Sequence, residues 1–210
     1  MKLNDIVTTS FSKLFEENLL QEICNNGILK YAEPDKIILE IRRDIKFIPL
    51  IVSGIVKAMR RDGIGNGIFL HYLSKNQTSA IAISYVLEGK KSEIRLKAQS
   101  DITYIAVPSK VVNSWFLKYQ SWRSFYFKLN QQQTSLLIEN INDIAFTSLE
   151  YRLLKYLEYT SQVCNDSTIY SKHFDIARDL KVSREAISRI LKKLEKEDIV
   201  TLGRNKITLN

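Results

Sequence analysis

The chain has 210 residues and a mass of 24.4 kDa, which suits one large domain or two small ones. Its 45% hydrophobic and 26% charged residues exclude a disordered polypeptide. A net charge of +8 with a pI near 9.4 favours polyanionic partners, because Lys and Arg that neutralise phosphates release condensed counterions.

In chain order, residues 1–25 place Phe11, Leu14, Phe15, Leu19, Leu20 and Ile23 at spacings of one to four, which predicts short amphipathic helices. No continuous apolar core of a secretion signal occurs there. From Leu29 to Val107 the pattern changes to short β-rich runs: Ile28–Tyr31, Lys36–Ile41, Phe47–Val52, Ile55–Met59, Ile68–Leu73, Ile94–Ala98 and Tyr104–Val107. Turn signals separate them, the clearest being Glu33-Pro34-Asp35, Ser53-Gly54 and the stretch from Asp62 to Gly67. Many short strands at such intervals predict an antiparallel sandwich or barrel. The longest apolar stretch, Phe47 to Val56, is interrupted by Pro49, Ser53 and Gly54 and is about half of what a membrane span needs. A soluble, cytoplasmic protein is expected.

After Pro108 the helical pattern returns. Ser121 to Ala145 contains no Gly or Pro and predicts a helix about 37 Å long at 1.5 Å per residue. So long a helix in so small a protein predicts a partner along its side, and therefore a homodimer, although Gln131-Gln132-Gln133 and Asn140 interrupt a strict heptad.

Two cysteines, Cys24 and Cys164, have no CxxC spacing and read as small apolar residues in a reducing compartment. With only His71 and His173 there is no zinc ligand set, no metal set for a cupin-type enzyme, and little basis for a Ser-His-Asp or Cys-His site. No enzyme is expected.

The last forty residues are the most informative. His173 to Leu180 predicts a short helix with Ile176, Ala177 and Leu180 inward, and Lys181-Val182-Ser183 a tight turn with Val182 plugging the core. Ser183 is a good N-cap, since its hydroxyl accepts from backbone N–H groups that the first helical turn leaves free. The helix it opens has two stripes: Ile187, Ile190, Leu191 and Leu194 on one side, and Arg184, Glu185, Ser188, Arg189 and Lys192 on the other. Arg pairs bidentately with guanine, Glu accepts from cytosine N4, and Ser meets a base or a phosphate. Two β-rich runs around Gly203-Arg204-Asn205 then form a hairpin with Arg204 and Lys206 placed for phosphates. A charged stripe alone is the default for any solvated helix. The helix–turn–helix spacing, the capped Ser-Arg-Glu start and the basic hairpin together indicate double-stranded DNA. The alternative is a protein-interaction module whose helical end is structural.

The run Ser183-Arg184-Glu185-Ala186-Ile187-Ser188-Arg189-Ile190-Leu191 resembles the recognition-helix signature of the Crp/Fnr family of bacterial transcription regulators. That resemblance implies an α+β protein: a jelly-roll, cyclic-nucleotide-binding-like sensor domain over 1–120, a dimerisation helix over 121–146 and a winged helix-turn-helix over 147–210. It implies base contacts by Arg184, Glu185 and Arg189, a base or phosphate contact by Ser188, an inverted-repeat operator, and RNA polymerase as a partner. The sensor half departs from the family's cyclic-nucleotide pattern. Residues 74–84 hold no acidic side chain for a ribose, and Ser92 stands near where the phosphate Arg belongs, with Glu93 beside it. Cyclic AMP is not expected. An iron–sulfur cluster needs about four thiolates and cannot be built from two within one subunit. Haem through His71 stays formally open, though a lone His on a strand reads as a structural residue. Ser79, Lys90, Lys91, Ser92 and Arg95 remain the candidate effector-binding residues, with a solvated charge run as the plainer account of the cations.

Overall fold

The computed structural model describes residues 2–61 and 67–210. The chain divides into two units, Met1–Arg60 with Leu70–Leu137, and Arg61–Phe69 with Ile138–Asn210.

The first unit opens with α1 (Leu3–Phe11) and α2 (Glu17–Asn26), matching the predicted amphipathic pair. Val7, Phe11, Leu19 and Ile23 are fully buried, so the apolar stripe of each helix is spent on the core. At Gly27 an added Cβ would lie 2.5 Å from the Ile23 carbonyl oxygen and 2.6 Å from Ile105, so only glycine lets the chain pass so close.

Seven strands follow: β1 (Ile28–Ala32), β2 (Ile37–Leu39), β3 (Phe47–Ser53), β4 (Val56–Arg61), β5 (Gly67–Leu73), β6 (Arg95–Ala98) and β7 (Ile102–Pro108). They form two sheets, ordered β1-β7-β3 and β2-β6-β4-β5. β7 pairs antiparallel with both neighbours, Ile28 opposite Ala106 and Phe47 opposite Pro108, and β6 pairs antiparallel with β2 and β4. Gly54 turns the chain between β3 and β4 at φ +80°, a conformation that side chains rarely adopt. The turn expected over 62–67 lies mostly outside the described residues.

Helix α3 (Ala80–Leu87) sits where no helix is predicted from the sequence. Its side chains are apolar almost all round, which erases the amphipathic period, and its start is set by one cap: the Ser79 hydroxyl accepts from Ala82 N at 3.2 Å. Helix α4 (Ser109–Lys118) ends at Tyr119, which is extended, and α5 (Gln120–Phe146) then runs for 27 residues. Its inward face, Trp122, Phe125, Leu129 and Gln133, packs on an aromatic cluster. Phe15 meets Phe125 edge-on at 5.0 Å, and Trp115 meets Trp122 at 5.2 Å.

The second unit contains the end of α5, then α6 (Leu149–Cys164), β8 (Thr168–Ile169), α7 (His173–Leu180), α8 (Arg184–Lys196), β9 (Val200–Gly203) and β10 (Lys206–Leu209). The strands form one antiparallel sheet ordered β8-β10-β9. Its core is Leu153, Leu157, Ile169, Ile176, Ile187, Leu191, Leu194, Val200 and Ile207. Inside it the Tyr156 hydroxyl donates to Asp179 Oδ2 at 2.7 Å. Phe69 packs edge-on against Tyr156 at 5.7 Å. Lys155 on α6 holds Asp143 at 2.7 Å and Glu139 at 3.8 Å on α5. Among the described residues no helix is long and apolar enough to cross a membrane.

Candidate nucleic-acid interface

The turn between α7 and α8 is built from local chemistry. Lys181 takes a left-handed conformation (φ +58°), and Val182 N donates back to the Ala177 carbonyl at 3.0 Å, closing α7. Ser183 opens α8 in the predicted manner: its hydroxyl accepts from Ala186 N at 3.1 Å. Ala177 is buried, and its small side chain lets α7 and α8 approach closely.

With Ile187, Leu191 and Leu194 buried, the opposite side of α8 faces solvent. Arg184, Glu185, Ser188, Arg189, Lys192, Lys193 and Lys196 line a shallow open groove of about 710 Å³. Five of these seven are cations and one is a carboxylate. Arg184, Arg189 and Lys192 are exposed, and Ser188 is half-buried. Lys193 is held by Glu150 at 2.8 Å and lies 3.8 Å from Glu197, and the Glu150 hydrogen bond raises its pKa. In the β9–β10 hairpin Gly203 stands opposite Lys206, and Asn205 takes a positive φ of +57°. Arg204 and Lys206 are exposed, and Leu202 N donates to Glu195 Oε1 at 3.1 Å, tying the hairpin to α8.

Sequence reasoning missed His173. Its Nδ1 lies 2.9 Å from the Ser188 hydroxyl oxygen, bridging the first helix and the exposed stripe of the second. Burial first, and then the positive charge of Arg184, lower its pKa from the ordinary histidine value. Fifteen residues separate the pair, so no local pattern announces the contact.

Four of the five candidate effector residues are engaged within the chain. Ser79 is buried and its hydroxyl caps α3. Ser92 is buried, and its hydroxyl donates to the Ile94 carbonyl at 2.7 Å and accepts from Ile94 N at 3.2 Å. Arg95 makes a two-point pair with Glu40, Nε to Oε1 at 2.9 Å and Nη2 to Oε2. Lys90 pairs with Glu88, which raises its pKa, and Lys91 is exposed. The residue that does join elements here is Gln133 of α5, which sequence reading took for an interruption. Its Oε1 accepts from Ala80 N at 3.0 Å and its Nε2 donates to the Thr78 carbonyl at 2.8 Å, so one buried side chain clasps the loop before α3.

His71 on β5 is 1% exposed, neither ring nitrogen has a hydrogen-bond partner among the described residues, and burial lowers its pKa to about 4. Among the described residues no three His, Cys, Asp or Glu side chains come together as a metal site. Cys24 and Cys164 are unbridged, and burial raises both thiol pKa values.

A two-sheet domain, a long helix and a helix-turn-helix with a basic hairpin define the class. Residues 151–210 match the family model of the Crp-like helix-turn-helix domain. The chain shares its fold with a transcriptional regulator of the Crp/Fnr family from Eubacterium rectale, at 22% identity over 92% of this chain and 90% of that one, with a TM-score of 0.81. It is also similar to the c-di-GMP-responsive global regulator CLP of Xanthomonas campestris (13% identity, 92% and 99% covered, TM-score 0.77). A third relative in fold is FixK2 of Bradyrhizobium japonicum (13%, 88% and 92%, TM-score 0.71). No match was found among curated proteins. The chain therefore has the Crp/Fnr fold, with a Crp-like helix-turn-helix domain over residues 151–210.

Proposed function

We propose that the protein is a sequence-specific DNA-binding transcription regulator that acts as a homodimer on an inverted-repeat operator. The observation that carries this reading is the exposed stripe Arg184, Ser188, Arg189 and Lys192 on a helix capped by Ser183 and set by a tight turn. In a helix-turn-helix the second helix enters the major groove, and its N-terminal residues meet base edges. Arg184, Glu185 and Arg189 then read bases, and Lys192, Arg204 and Lys206 neutralise phosphates. The regulators of the same fold lend the transcriptional role, with RNA polymerase as the further partner. The jelly-roll, dimer-helix and winged-helix assignments over 1–120, 121–146 and 147–210 are part of this proposal.

Dimerisation is supported by α5. Past Gln133 none of its residues is buried, yet Ile138, Ile141 and Ile144 are 54%, 64% and 64% exposed at successive spacings of three. A second copy of the helix is the partner that a symmetric regulator offers to such a face. The effector is one other than cyclic AMP, or none: Arg95 and Ser92 are already satisfied within the chain.

The test is selection of bound duplexes from random DNA with the purified full-length chain, followed by titration with salt. An inverted repeat with half-sites about one helical turn apart, and affinity falling steeply with salt, is the expected result. Failure to enrich any sequence would overturn the reading and leave a structural helical end.

A further inference from the structure

We propose that Nδ1 of neutral His173 accepts a hydrogen bond from the Ser188 hydroxyl, so that the serine reads the major groove as an acceptor, and that protonating His173 reverses it to a donor. This rests on the DNA-reading role proposed for α8. The geometry is one contact, His173 Nδ1 to Ser188 Oγ at 2.9 Å, between the first turn of α7 and the middle of the exposed stripe of α8. Ser188 lies four residues from both Arg184 and Lys192 and next to Arg189 in sequence, and lines the same groove.

A serine hydroxyl has one proton and two acceptor lone pairs. When Nδ1 is unprotonated, that proton is used on the imidazole and only oxygen lone pairs face the groove. They accept from adenine N6 or cytosine N4. When both ring nitrogens carry hydrogen, Nδ1–H donates to Ser188 instead. The serine proton then turns outward, towards guanine O6 and N7, thymine O4 or adenine N7, while cytosine offers it no acceptor. His173 is a positioning residue in this scheme, since Ser188 makes the contact.

The charged groups on the two packed helices are Asp175, Arg178 and Asp179 on α7, with Lys172 at its cap, and Arg184, Glu185, Arg189, Lys192, Lys193, Glu195 and Lys196 on α8. Asp175 is paired with Arg178 at 2.8 Å. Burial and Arg184 favour the neutral ring, and with its hydrogen on Nε2 the Nδ1 accepts from Ser188, which is the acceptor state.

The experiment is site selection by the full-length protein at pH 7.5 and at a pH below the His173 midpoint, read from its ring proton signal, at one ionic strength, with the native chain, His173→Gln and Ser188→Ala. One base position per half-site should shift in the native protein from cytosine, which offers only a donor, towards guanine or thymine, which offer only acceptors, on acidification. The expected change is about fivefold, the factor that one neutral hydrogen bond sustains. In both variants the preference at that position should not move with pH. Ser188→Ala keeps the test decisive if His173→Gln misfolds. The same shift in Ser188→Ala, or a native preference indifferent to pH, overturns the role of His173 alone. No selected site at either pH overturns the DNA-reading role together with it.

Discussion

Ser183 and Ser188 stand five residues apart on the same helix, and their hydroxyls do different work. The first is committed to Ala186 N, so its contribution is to start α8 in register. The second is joined to His173 and remains on the groove side. A comparable division separates the cations. Arg184→Ala or Arg189→Ala should cost about 1–3 kcal/mol per half-site and relax preference at particular base pairs. Lys206→Ala should weaken all sequences alike and lower the slope of log affinity against log salt by roughly one per half-site. Binding isotherms on the selected site and on single-base variants of it distinguish the two behaviours. A uniform loss for all three would mean that α8 grips the backbone and reads no sequence. His71 gives a prediction of another kind. Its folded pKa of about 4 lies below the ordinary value near 6.5, so between those values the unfolded chain binds the extra proton. Its contribution to stability is therefore full above pH 6.5 and falls as pH drops towards 4, by about 3 kcal/mol in all. Chemical denaturation should show that loss in the native chain and a flatter profile in His71→Leu. Parallel profiles would refute it.

At the scale of elements, the parts legible in the sequence are those whose causes are local. The α7–turn–α8 unit depends on a small residue at 177, a tight turn and a serine cap, all within seven positions, and each leaves a mark in the sequence. The seven strands are legible for the same reason, through short β-rich runs between turn residues. α3 was not, because eight nearly all-apolar residues carry neither a helical nor a strand period. Gln133 was not, because its partners lie more than fifty positions away, and a glutamine in a helix otherwise looks solvated. The structure makes it the fastening of α5 to the loop before α3. Gln133→Ala would leave a buried N–H at Ala80 and a buried carbonyl at Thr78 without that partner. It should destabilise the first unit by about 1–3 kcal/mol in urea or thermal unfolding. A variant as stable as the native chain would show that water or a neighbour replaces the amide.

For the whole molecule, the net charge of +8 is unevenly spread, with ten Lys and Arg against six Asp and Glu in residues 171–210. That excess gives a steering field near α8 and the hairpin, which raises affinity for any duplex and confers no preference among sequences. Preference for an inverted repeat needs two copies of α8 held at fixed spacing, and the proposed homodimer assigns that task to α5. Burying apolar surface is worth about 25 cal/mol per Å². The uncovered Ile138, Ile141 and Ile144 are therefore where a second helix would gain stability in the proposed dimer, whereas the inward stripe ending at Gln133 is already used. Ile141→Glu places a charge in the middle of that face, and like charges would meet across a two-fold axis. Light scattering at micromolar concentration should give about twice the 24.4 kDa chain mass for the native protein and the single-chain mass for Ile141→Glu. The variant should keep salt-sensitive binding to a single half-site, since α8 is untouched, and lose the added affinity of the full repeat. A native protein of single-chain mass that still bound the full repeat tightly would refute this role for α5.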